Sequence, residues 1–205
     1  MSIRGVIFDF GRVICDFDIG KFVARAAARS ALSPGALKET MHRSEGEAIR
    51  YETGLITSQE FYRSVCTIAS LTMTEEEFIG AYTDIFTQKP ATIALVKRLK
   101  GHYRLGLLSN TNEWHYEFGI KPVGILPYFD AVTLSYEVRA MKPDPRIYAD
   151  MLGKLALPAG ECVYIDDIQE YVEGGRRAGL KAIRYTTHER LLDDLTNEGV
   201  HIPPE

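Results

Sequence analysis

From Pro90 onward the chain alternates short apolar runs with amphipathic helical stretches, and few folds accommodate that rhythm. "ATIALVKRLKG" has helical spacing and stops at Gly101. "YRLGLLS" and "AVTLS" read as strands, "DPRIYADMLGKLAL" as a helix, and "CVYID" as a strand. "IQEYVEGGRRAGL" reads as a helix closed by Gly179, "KAIRYT" as a last strand and "HERLLDDLTNEG" as a last helix. Strands alternating with helices through short loops predict a parallel sheet covered on both faces. One more strand stands far upstream, Val6-Ile7-Phe8, continuous in its apolar residues as a doubly covered strand should be.

Between that strand and the rest lies a stretch of different character, from about Asp18 to Gln88. "DIGKFVARAAARSAL" has helical spacing, "SQEFYRSVCTIASL" starts with Ser58 as an N-cap, and "TEEEFIGAYTDIF" opens with Thr74 and Glu77 at capping-box spacing. No strand is evident there. The expected fold is an α/β doubly wound parallel-sheet core (1–16 and 89–205) with a small all-helical cap (17–88) inserted after the first strand. The tail "VHIPPE" is expected to fray.

The totals narrow the function. Net charge is −4 with no basic run, which argues against a nucleic-acid partner. No apolar run reaches bilayer length, so no membrane partner is expected. The N-terminus meets its first glycine and aspartate too early for a signal peptide, and a cytoplasmic location is expected. Cys15, Cys66 and Cys162 have no metal spacing and sit among apolar neighbours, as buried free thiols do. A monomer and a homodimer both remain open.

In open α/β sheets ligands bind beyond the carboxyl ends of the strands. Asp9 follows the first strand; Ser109, Asn110 and Thr111 follow "LGLL"; Lys142 follows "VTLSYEVRAM"; Asp166 and Asp167 follow "CVYI". Each has a plain alternative. Asp9 could cap a turn, Asp166 or Asp167 could cap the helix from Ile168, Ser109 and Asn110 suit a turn, and Lys142 could be a solvated loop cation. Together they suggest more. Three carboxylates at one edge repel unless a cation sits among them, and a hard divalent cation such as Mg²⁺ suits oxygen ligands. A cation, a lysine and a hydroxyl around a free carboxylate describe phosphoryl transfer to an aspartate.

The pieces "FDFGRV", "LLSNTN", "KPDPRIY" and "YIDDIQEYVEGGRRAGL" resemble, in order, those of the haloacid dehalogenase superfamily of aspartate-nucleophile hydrolases. With the helical insert in its usual place, the resemblance covers essentially the whole chain. It is nearest to the bacterial sugar-phosphate phosphatases beginning "FDxGxV", the glucose-1-phosphate phosphatase-like subgroup. The resemblance implies a Mg²⁺-dependent phosphomonoester hydrolase acting on a small phosphate ester, a sugar phosphate by the subgroup, through an aspartyl-phosphate intermediate. It assigns Asp9 as nucleophile and metal ligand, and Ser109 and the Asn110 backbone to the phosphate. It gives Lys142 to both the phosphate and Asp9. Asp167 becomes a metal ligand, Asp166 a ligand or a partner behind it, and the Gly11 carbonyl a further ligand.

Two positions depart from the resemblance. Most of these phosphatases carry a second aspartate two residues after the nucleophile, as general acid and base; here that position is Gly11. Losing such a group typically costs ~10²–10⁴-fold. An anomeric phosphate, a good leaving group, depends less on it, and Asp16 or a cap residue could substitute. Tyr171 stands where relatives usually have asparagine, beside the expected metal site. The helical insert would act as a lid that chooses substrate, with Arg43, Glu47, Arg50 and Tyr51 as its polar candidates or as members of a solvated helix face.

Three alternatives stay open on the sequence: a metal-independent 2-haloacid dehalogenase-type hydrolase, a phosphate-binding or regulatory protein with little turnover because of Gly11, and an aspartate-receiver domain. The acidic pair Asp166–Asp167 argues against the first and the helical insert against the last.

Overall fold

The computed structural model describes residues 2–43 and 45–204; the side chains of Pro34, Lys38 and 41–43 lie outside the description, Arg43 among them. Five parallel strands form the core: β1 (Gly5–Phe8), β4 (Arg104–Ser109), β5 (Ala131–Leu134), β6 (Cys162–Asp166) and β7 (Lys181–Arg184), in the order β5-β4-β1-β6-β7. The first strand is central, with Phe8 opposite Leu107 on one side and Ile165 on the other. This register brings the ends of β1, β4 and β6 to one edge.

Alternation along the strands splits the core in two. Val6, Phe8, Leu105, Leu107, Val163 and Ile165 face α6 (Pro90–Leu99) and α10 (His188–Asn197). Ile7, Leu108 and Tyr164 face α8 (Pro145–Leu155) and α9 (Gln169–Arg177). The near-absence of polar residues in β1 and β6 follows from burial on both faces. A short helix, α7 (Ser135–Val138), turns the chain off β5.

The insert carries α1 (Ile19–Ala27), α2 (Pro34–Arg43), α3 (Glu45–Glu52), α4 (Ser58–Ile68) and α5 (Glu75–Thr83). Phe22, Tyr51, Phe61, Phe78 and Tyr82 form its aromatic centre, and Trp114, from the segment after β4, enters it from the core side. Thr74 and Glu77 make the expected capping box.

Four expectations need correction. The stretch 18–88 is not free of strand: β3 (Phe86–Gln88) ends it and pairs antiparallel with β2 (Cys15–Phe17), which lies just before it. At three residues each they are too short to show an alternation. Thr57, not Ser58, caps α4, because its hydroxyl and Glu60 complete a capping box, while Ser58 is buried against Tyr51. The tail is held: the Arg98 guanidinium donates to the Pro203 carbonyl, the His201 N–H donates to the Tyr103 hydroxyl, and Val200 is buried. Cys66 is half-buried, although Cys15 and Cys162 are buried and all three are free.

Candidate active site

Strand ends, the cis Lys142–Pro143 bond and a helix start bring the predicted residues together. The Lys142 ammonium, 3% exposed, donates to Asp9 Oδ1 at 2.8 Å and to Asp166 Oδ2 at 2.6 Å. It is no solvated loop cation. Burial pulls its proton affinity down, but Asp9 and Asp166 outweigh burial and hold it above the usual lysine range. Its backbone is bracketed by Asn110, whose Oδ1 accepts from the Lys142 N–H at 2.8 Å while Nδ2 donates to the Lys142 carbonyl at 3.3 Å. Ser109, buried at the end of β4, lies beside this bracket.

Asp166 is fully engaged. Besides Lys142 it accepts from the Tyr164 hydroxyl, and its Oδ1 takes the Ile168 N–H at 2.9 Å. It therefore steadies the backbone just ahead of α9 and anchors the lysine, but it is not the N-cap: that position is Ile168, and no side chain caps the helix there. Asp167 is more open and has Arg12 at 3.9 Å. Carboxylate oxygens of Asp9, Asp166 and Asp167 all lie within 4.8 Å of one another.

Three carboxylates and one shared ammonium leave this buried cluster net negative. Burial pushes the Asp9 carboxyl up to about 7, against the pull of Lys142, and Asp166 adds to the rise. Burial and then Asp166 raise Asp167 too. Asp9 and Asp167 thus resist ionisation, and an all-oxygen donor set around them fits a hard divalent cation.

Above the cluster opens a cavity of about 790 Å³ floored by Gly11, Ser109, Asn110 and Thr111. Its walls are mainly apolar: Phe17, Phe22, Val23, Phe61, Val65 and Phe86. A Cβ added at Gly11 would sit 3.8 Å from Asp9 Oδ2 and 3.1 Å from the Phe17 ring, so position 11 faces both the Asp9 carboxylate and the cavity.

The candidates for filling that gap fare unevenly. Asp16 lies on the ribbon, paired with Lys89 at 3.1 Å and largely exposed, outside the cavity lining. Glu47 and Arg50 pair with each other at 2.9 Å at the surface. Tyr51 is buried, its hydroxyl held by Ser58 and by the Trp114 N–H. Arg43 falls outside the described side chains. Tyr171 does not reach among the carboxylates; its ring packs against the Lys142 ammonium at 5.0 Å. Sequence analysis passed over two cavity-lining residues, Glu52 and His115. His115 stacks on Tyr82, and its ring bonds Asn112 and the Tyr82 carbonyl. The packing of α3 in the insert brings Glu52 inward, and contacts of the segment after β4 with Asn112 and Tyr82 hold His115 there; no local motif encodes either.

A model of the haloacid dehalogenase-like hydrolases matches residues 3–179. A D-ribitol-5-phosphate phosphatase of Bacteroides thetaiotaomicron is 26% identical over 192 residues, 89% of this chain and 91% of that protein. A phosphatase of Mycobacterium tuberculosis is 27% identical, covering 97% of this chain and 96% of its own. A solved haloacid dehalogenase family enzyme of B. thetaiotaomicron, in complex with magnesium and inorganic phosphate, superposes with a TM-score of 0.77 at 20% identity, over 90% of this chain and 95% of that one.

Proposed function

Because the chain belongs to the haloacid dehalogenase-like hydrolase family, we propose that it is a Mg²⁺-dependent phosphomonoester hydrolase working through an aspartyl phosphate on Asp9. One observation carries this reading: a buried lysine bridges Asp9 and Asp166 at the carboxyl edge of the sheet, with Asp167 closing an all-oxygen cluster.

The ester phosphate rests on Ser109, the Asn110 backbone and Lys142. Asp9 attacks phosphorus in line; an Asp9 O–P bond forms as the ester O–P bond breaks. Lys142 spreads the charge gathering on the equatorial oxygens and keeps Asp9 aimed. Asp166 orients Lys142, and Tyr171 shields it from water. Asp9, Asp167 and the Gly11 carbonyl, with Asp166 behind them, would hold Mg²⁺, which would supply the positive charge that lets a carboxylate approach a phosphate dianion. Water then hydrolyses the aspartyl phosphate and inorganic phosphate leaves.

The organic part of the substrate has two readings. A sugar phosphate is what the sequence resemblance suggests, and the likeness to a ribitol-phosphate phosphatase supports it. The wall of Phe17, Phe22, Val23, Phe61, Val65 and Phe86 favours a second class, esters of a largely apolar or aromatic alcohol, since sugar hydroxyls find few partners there. A panel of sugar, alkyl and aryl phosphates, assayed with Mg²⁺ and with EDTA, separates them. Metal-independent turnover would sink the Mg²⁺ dependence, and turnover on no ester would sink the phosphatase reading and favour the dehalogenase-type or regulatory alternative.

A further inference from the structure

We infer that Glu52, carried into the cleft by the helical insert, is the general acid and base of this active site, in the role that Gly11 leaves empty. The inference rests on the phosphatase reading above. Glu52 ends α3 and lines the same cavity as Gly11, Ser109 and Asn110. Its backbone is tied to the core: the Ser135 hydroxyl donates to the Glu52 carbonyl at 2.6 Å and accepts from the Thr111 N–H at 2.9 Å. One hydroxyl thus pins the insert's carboxylate residue to the loop that follows β4.

The turn after Glu52 makes that approach possible. Gly54 has φ +66, and a Cβ there would lie 2.1 Å from the Tyr136 carbonyl oxygen, so no other residue fits without moving the insert off the core. The charged and titratable groups around Glu52 are Lys142 from the core, Tyr82 from α5 and Tyr171 from α9, with Glu45 and His115 on the same cavity wall. Burial lifts the Glu52 carboxyl to about 7 and Lys142 opposes the rise, so both protonation states are accessible near neutrality. Asp16, in contrast, is spent on Lys89 at the surface.

The proton balance closes. In the first half, Asp9 oxygen bonds to phosphorus, the ester O–P bond breaks, and the alkoxide takes the Glu52 proton. In the second, the Glu52 carboxylate takes a proton from water as that oxygen bonds to phosphorus. The Asp9 O–P bond breaks, phosphate departs and Glu52 is protonated again.

The experiment compares the parent with Glu52→Gln on para-nitrophenyl phosphate and on an alkyl phosphate, in Mg²⁺, across pH. kcat/KM reports the steps through phosphoryl transfer. The variant should lose ~10²–10⁴-fold on the alkyl ester, under about tenfold on the nitrophenyl ester, and the pH limb set by the acid. Adding Gly11→Asp should restore at least about tenfold of the alkyl activity. Equal losses on both esters, with the pH limb kept and no recovery from Gly11→Asp, would overturn the assignment. The parent alone gives a check that needs no variant to fold: its kcat/KM should depend weakly on leaving-group pKa, and a steep dependence overturns the role. A parent inactive on every ester would fail the phosphatase reading itself, whereas an active parent with an unaffected variant fails only Glu52.

Discussion

The floor and the walls of the cleft are made of opposite materials. The floor, lined by Gly11, Ser109, Asn110 and Thr111, is backed by the buried ionic network of Asp9, Lys142 and Asp166, with the more open Asp167 beside it. The walls come mostly from the insert and are aromatic and aliphatic. The difference separates two tasks. Under the proposed function the floor would address the phosphate, which every monoester shares, and the walls the alcohol, in which esters differ. Changes to the floor should then lower activity on all esters together, and changes to the walls should re-rank them.

The largest expected effect is metal removal. EDTA should abolish turnover on every ester and lower the melting temperature, because three carboxylates lose their counter-charge; at a hundredfold excess over Kd, Mg²⁺ would stabilise by about 2.7 kcal/mol. A calorimetric scan with and without Mg²⁺ checks both, and unchanged melting would break the cation assignment. Next comes Lys142→Met. It should cost ~10²–10³-fold in kcat/KM on all esters alike. It should also destabilise the fold by about 3–5 kcal/mol, since Asp9 and Asp166 are left buried without their partner; urea midpoints read this.

A wall substitution should look different. Val23→Asn should lower kcat/KM on a naphthyl phosphate by about tenfold and leave a small alkyl phosphate within about twofold. Uniform loss on both would erase the distinction between wall and floor. The smallest effect is on pH. Burial holds His115 down at about 4, below its ordinary 6.5. The unfolded chain takes that proton first, so the stability it contributes is complete above about 6.5 and is lost as pH falls towards 4. His115→Gln should show a shallower fall in urea midpoint across that window than the parent.

How much of this was legible in the sequence divides along the same line. Asp9, Ser109, Asn110, Lys142 and the Asp166–Asp167 pair were readable because a parallel sheet sends every strand end to one edge. Their identities needed no knowledge of long-range packing. Glu52 was passed over, though it directly follows Tyr51, because its inward direction depends on how α3 meets Ser135 and how Gly54 passes Tyr136. Glu47 and Arg50 form a surface pair, in line with the solvated helix face that the sequence also allowed, and Tyr51 is used in the insert's own packing. Tyr171 looked like a fault in the metal site when read by position alone; in three dimensions it covers the lysine.

The central claim is that Asp9 is the nucleophile of a metal-dependent phosphatase floor shared by all esters. The direct measurement is the hydrolysis rate of parent and Asp9→Asn on one panel of sugar, alkyl and aryl phosphates in Mg²⁺, with folding checked by circular dichroism. The account predicts a folded Asp9→Asn protein at least ~10⁴-fold slower on every ester the parent cleaves. A folded variant that hydrolyses any of those esters as fast as the parent would contradict it.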